Sequence, residues 1–253
     1  MKKKIIVCFL VLFFMQNLQA QYSWRTGEKF TYGVKWGFLR LGTVSVSVID
    51  SAGIDSSMTH QIKLTIDSNP LIFFVDMHSI FECSLDDQFR PISYKITDIV
   101  DDENKTASYY FNYPDSFYTI DFDFEREEGK PSRLKFPLKQ NIYEGLSLIY
   151  YSRANIHLKK SENIKVFWED YQGFVTLNYG GESDSVKIDA LDKKLPSYYV
   201  DGIIHVKGIA GLSGPFKSWF ARDSQRPPLK ASLKVFVGNV SVELEEWEKW
   251  GNH

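Results

Sequence analysis

Cysteine is nearly absent from this chain. There are two, and Cys8 lies inside an N-terminal apolar run, so once that run is cleaved only Cys83 remains and no intramolecular disulfide can form. No Cys pair exists to build a zinc site, and His60, His78, His157, His205 and His253 show no metal-ligand spacing. Long apolar runs are missing too. The one candidate, residues 5–15, falls below the ~18–20 residues needed to span a bilayer, so no transmembrane span is expected in the processed chain. An excess of positive charge is also lacking: 30 Lys and Arg face 32 Asp and Glu. That balance argues against nucleic acid as a partner, because phosphate-backbone binding draws on clustered basic residues. Nor is there a nucleophile elbow. Gly211-Leu212-Ser213-Gly214 lacks the Gly-x-Ser-x-Gly spacing, and Pro215 follows where a helix would have to start.

What is present begins with an export signal. Lys2, Lys3 and Lys4 precede the apolar residues 5–15, and Leu18-Gln19-Ala20 offers a cleavage site. Cys8 sits behind Val7, too early and without the small preceding residue that lipidation requires. The expectation is a signal peptide over residues 1–20, one domain over 21–253, and a periplasmic or cell-surface destination.

Period-two alternation dominates the rest. Val44, Val46 and Val48 alternate with Thr43, Ser45 and Ser47; Ile62, Leu64 and Ile66 alternate with Lys63, Thr65 and Asp67. The same pattern returns in Tyr32, Val34 and Trp36, and in Val240, Val242 and Leu244. Such segments are strands with one dry and one wet face. Polar turns separate them, at Ser68-Asn69-Pro70, Asp86-Asp87-Gln88 and Gly238-Asn239 among others. The pattern predicts an all-β fold, a large antiparallel β-meander, barrel-like or sandwich. Cys83 alternates in step with Phe81 and Leu85 and reads as a small buried hydrophobe.

One segment departs from this pattern. Ile142, Leu146, Ile149, Arg153 and Ile156 recur every three or four residues, which predicts one amphipathic helix near residues 142–158, packed on or plugging the sheet. Asn141, with Glu144 three residues on, is the expected N-terminal cap.

Three groups are candidates for function. Asp121, Asp123 and Glu125, interleaved with Phe122 and Phe124, place three carboxylates on one strand face, suited to calcium, to a glycosidase acid pair or simply to a solvated edge. Tyr109, Tyr110, Tyr113, Phe117 and Tyr118 gather around one turn, as core or as a stacking surface. The third is residues 219–228, where Trp219, Arg222, Asp223 and Arg226 stand beside Pro227 and Pro228. Asp223 suits the first position of a tight turn, and the prolines mark a strand entry or edge. These four residues are the ligand- or partner-facing candidates, and the same block reads equally as a structural brace.

Three blocks together resemble one family. They are Gly27-Glu28-Lys29-Phe30-Thr31-Tyr32 with Trp36-Gly37 and Gly42; the Leu146-Ser147 and Tyr150-x-x-Arg153 of the helical segment; and Trp219-Phe220 with Asp223, Arg226, Pro227 and Leu229. They resemble domain-of-unknown-function family 3108, exported bacterial proteins with a YmcC-like fold. The resemblance implies a large antiparallel β-meander and assigns no activity.

The expected function is therefore a non-enzymatic envelope protein that binds a lipid, a glycan or a protein partner. No catalytic residue, cofactor or metal ligand is assigned. Two alternatives stand beside it, a polysaccharide hydrolase using Asp121 or Asp123 and a structural assembly factor.

Overall fold

The computed structural model describes residues 27–49, 60–72, 76–100, 103–126, 129–168, 171–191, 193–208, 212–235 and 237–248. The expected signal peptide lies outside the described residues, as do the turns at 50–53 and 101–102.

Among the described residues the expected alternation is realised as fourteen strands. These are β1 (Lys29–Trp36), β2 (Leu39–Ile49), β3 (His60–Ser68), β4 (His78–Leu85), β5 (Pro91–Val100), β6 (Glu103–Asn112) and β7 (Phe117–Phe122). After β8 (Arg133–Pro137) comes a helix, α1 (Gly145–Asn155), with a 3-10 turn (Ile156–Leu158). The chain then continues through β9 (Ser161–Trp168), β10 (Tyr171–Lys187), β11 (Lys194–Ile204), β12 (Gly214–Ala221), β13 (Pro228–Lys234) and β14 (Asn239–Glu248).

All fourteen form one sheet, ordered β8 through β1, then β14 back to β9. Each neighbour is antiparallel, and β1 joins β14 in register from Lys29 opposite Glu248 to Trp36 opposite Val240. The meander therefore sends its connections alternately to two ends of the sheet. Register shifts at Thr31/Tyr32 and Val34/Lys35 sharpen the bend.

The sheet curls without closing. Its free edges are β8 and β9, yet Phe167 of β9 packs against Tyr109 and Phe111 of β6, at ring-centroid distances of 5.2 and 5.4 Å. Gln172 Nε2 donates to Tyr118 Oη at 2.8 Å across the same seam. The segment before the helix covers the β9 edge: Tyr143 N donates to Lys165 O and Phe167 N to Tyr143 O, each at 3.0 Å. An unpaired edge is thus hidden by a single extended stretch.

That stretch also corrects the expected helix start. Because Tyr143 is held extended against Val166, the helix begins at Gly145, and the cap moves one turn from Asn141 to Glu144. The Glu144 carboxylate accepts from Leu146 N and Ser147 N, both at 2.6 Å, while Ser147 Oγ accepts from Glu144 N at 2.9 Å. It is a capping box with the acid and hydroxyl exchanged.

Candidate functional site

The helix crosses one end of the curled sheet. Its start lies over Cys83 near the end of β4, where Cys83 Sγ donates to Glu144 Oε1 at 3.2 Å. Its last turn lies beside Glu28, just before β1. Burial pushes the Glu144 carboxyl up, against the lowering effect of its N–H donors. Burial and that neighbouring carboxylate push the Cys83 thiol up as well, so Cys83 is the inert core residue its alternation predicts.

Above the helix lies a cavity of about 430 Å³, within the ~300–1,000 Å³ range of small-molecule sites. Its wall is built by alternation. Phe30, Tyr32 and Val34 of β1 point into it, as do Val44 and Val46 of β2 and Leu64 and Ile66 of β3. Val240 and Val242 of β14, Phe220 of β12 and Ala231 of β13 complete the far side. The base is the helix face Leu146, Ile149, Tyr150 and Arg153, spaced i, i+3, i+4, i+7 as one stripe of an α-helix. Ile149 remains 39 % exposed, although it sits mid-helix and faces the cavity.

The polar groups in this wall have partners within the protein. Ser68 Oγ accepts from Met77 N at 3.1 Å, Ser218 Oγ donates to Lys230 O at 3.2 Å, and Lys230 Nζ is paired with Glu243. Asp67 meets His78 Nδ1 at 3.2 Å. Gly42 keeps the wall thin, since a Cβ there would stand 2.4 Å from Asp67 O. The cavity thus offers shape and apolar surface, with few hydrogen-bonding groups to spare.

Arg153 closes the inner end. It is 1 % exposed, as is Glu28, and the two form a two-pronged ion pair in which Nη2 reaches Oε2 at 3.1 Å. Arg153 Nε and Nη2 also donate to the carbonyls of Arg226 and Gln225, at 3.2 and 2.8 Å. Arg226 Nη1 returns the contact to the carbonyls of Arg153 and Ala154, at 3.0 and 2.8 Å, satisfying acceptors that the end of a helix leaves open. The three blocks of the family resemblance meet here.

The four residues named from sequence stand away from the cavity wall. Arg226 is buried, with a left-handed backbone (φ 48°). Asp223 Oδ1 accepts from Gln225 N and Arg226 N at 2.9 and 2.7 Å, the side-chain turn its position suggests. Arg222 is exposed and pairs with Glu182 at 3.0 Å, and Trp219 packs on Tyr199 at 5.5 Å.

The carboxylate row is not assembled as expected. β7 ends at Phe122, so Asp123 and Glu125 lie beyond the strand, and Asp123 Oδ1 accepts from Thr106 N at 2.5 Å. Asp121 is ion-paired with Arg133, which holds its carboxyl below the ordinary range; a general acid needs the opposite shift. Of the tyrosine group, Tyr109 and Tyr118 are core, while Tyr110 is exposed. Among the described residues no cluster of three or more His, Cys, Asp or Glu is placed to hold a metal, and no helix is long and apolar enough to cross a membrane.

No curated protein matches the chain. Its fold is similar to that of the crystal structure of a beta-barrel-like protein of domain of unknown function DUF1849 from Brucella abortus. The TM-score is 0.59 at 11% identity, covering 89% of this chain and 98% of that one. The sequence also matches, over residues 31–245, the family described as protein of unknown function (DUF3108), and the chain belongs to that family.

Proposed function

We propose that this is an exported envelope protein, processed near Ala20, that holds a lipid acyl chain or a comparably slender apolar molecule in the cavity above α1. The observation that carries the reading is the cavity wall: aliphatic and aromatic side chains from β1–β3, β12–β14 and α1 enclose about 430 Å³. A glycan needs convergent donors and acceptors, whereas the polar side chains here are tied to their own neighbours. An apolar chain needs only dry surface. Apolar cavities that exclude water bind apolar guests.

The test is native mass spectrometry of protein purified from cells without detergent, followed by extraction and identification of any bound species. The reading expects a mass adduct that organic solvent removes and an added long-chain fatty acid restores. Protein that carries no adduct and takes up no fatty acid, but retains an oligosaccharide, would overturn it.

A further inference from the structure

The two ends of this sheet differ in what they show to solvent. One end is occupied by α1 and by the turn at 222–227. The other carries every odd-to-even connection, from β1–β2 through β13–β14, because the meander alternates. The acidic residues of the sequence at 101–103 and 125–128 fall on its β5–β6 and β7–β8 side, away from β1–β2, β3–β4 and β13–β14. Among the described residues the three most exposed large apolar side chains are Phe38 at 95 %, Leu71 at 85 % and Val237 at 60 %. All three belong to the second end, at the tips of the β1–β2 hairpin, the β3–β4 loop and the β13–β14 hairpin.

These tips cap strands that wall the cavity. Each stands three positions along the chain from a residue in its wall: Phe38 from Leu41, Leu71 from Ser68, Val237 from Val240. Two of the tips are fastened together, since Trp36 Nε1 donates to Val237 O at 2.7 Å. The third is tied to the β2 strand, where Asn69 Nδ2 donates to Arg40 O at 2.9 Å and Asn69 Oδ1 accepts from Leu71 N at 3.1 Å. The tips are therefore held out on braced turns. The exposed Lys207 and Lys234 stand on the same end, and the sequence carries no charge from Asn69 through Val75. The exposed Asp76 and Asp67 of the same end each stand near His78, at 3.7 and 3.2 Å.

From this arrangement we infer that the rim Phe38, Leu71 and Val237 docks on a lipid bilayer bearing anionic headgroups, so that the cavity opens toward the membrane and exchanges its guest there. Isolated exposed apolar residues on a surface need no explanation. Three at one end, on strands that wall an apolar cavity, place apolar side chains where they enter the headgroup layer, with lysines on the same end to meet negative charge. A guest passing between bilayer and cavity then need not cross water. The inference rests on the cavity reading for its purpose, though not for the docking itself.

The experiment is flotation of processed protein with vesicles of phosphatidylethanolamine and phosphatidylglycerol, run beside uptake of a fluorescent fatty acid from solution. The triple variant Phe38→Ser, Leu71→Ser, Val237→Ser changes exposed tips only. It is expected to bind vesicles roughly tenfold or more weakly, as loss of that much buried apolar surface implies, while taking up the soluble fatty acid like the parent. The cavity-filling variant Ala231→Phe should do the reverse, floating normally without uptake. Equal flotation of the triple variant and the parent would overturn the docking inference. So would a parent protein that ignores vesicles and self-associates through the rim, becoming monomeric in the triple variant. Normal flotation with no uptake by any form would remove the cavity reading and leave the docking in place.

Discussion

Arg153 and Arg226 each donate to the other's main chain. Arg153 Nε reaches Arg226 O at 3.2 Å and Arg226 Nη1 reaches Arg153 O at 3.0 Å. Like charges tolerate this closeness because the Glu28 carboxylate sits on Arg153 and carbonyl dipoles face both guanidinium groups. The arrangement locks the end of α1 to the turn between β12 and β13, and it seals the inner end of the cavity.

Breaking the pair from one side should be costly. Arg153→Met strands the Glu28 carboxylate in a buried site, a change worth about 3–5 kcal/mol, which lowers Tm by roughly 6–20 °C for a chain of this size. Adding Glu28→Gln should return part of that loss, because no unpaired charge then remains. Thermal melts of the single and double variants measure both effects.

The turn itself separates two arginines that the sequence treats alike. Arg226→Ala removes charged donors to the helix carbonyls, each worth about 1.5–3 kcal/mol, and should be clearly destabilising. Arg222→Ala breaks a solvent-exposed pair and should shift stability by no more than ~1 kcal/mol. Asp223→Ala loses the side-chain acceptor of the turn and should fall between, at ~1 kcal/mol. Urea midpoints at a common m-value rank the three.

Stability should also fall on the acid side of neutrality. Burial and then the Arg226 charge hold His157 below the ordinary histidine range, against a hydrogen bond with the Ala154 carbonyl; burial does the same for His60. A histidine whose folded pKa is depressed takes up its proton more readily unfolded. Stability is therefore complete above the unfolded value of ~6.5 and declines as pH drops from there toward the folded pKa. Arg226 Nη1 also lies 3.0 Å from His157 Nδ1, a contact that protonation at that nitrogen would set against the guanidinium. Melts from pH 7.5 down to 5 should show this slope, and His157→Asn should flatten it, leaving the share due to His60.

Much of the fold was legible because it rests on local periodicity. The alternation of Val44, Val46, Leu64, Ile66, Val240 and Val242 gave the strands and their dry faces, and the spacing of Leu146, Ile149 and Arg153 gave the helix. Those same residues line the cavity, yet nothing local distinguishes a filled core from a hollow one; the volume arises from how far a fourteen-stranded sheet curls. The Glu28–Arg153 pair spans 125 positions and has no sequence signal beyond two residues in blocks shared with a family. The carboxylate row at 121–125 misled for the opposite reason. Its alternation is real, but the strand stops at Phe122, and pairing of Asp121 with Arg133 is decided by a neighbouring strand.

The central claim is that the cavity takes an apolar guest, and one titration tests it most directly. Ala231 lines the wall on β13, so Ala231→Phe should fill the space without the ~1–3 kcal/mol overpacking penalty of a solid core. Titrating a fluorescent long-chain fatty acid into the parent should saturate at one site. A hundredfold excess over Kd should stabilise the parent by about 2.7 kcal/mol, a Tm rise of roughly 5–10 °C. The variant should melt like the parent without ligand and show neither the signal nor the rise. A parent that gives no saturable signal, or a variant that binds as well as the parent, would contradict the account.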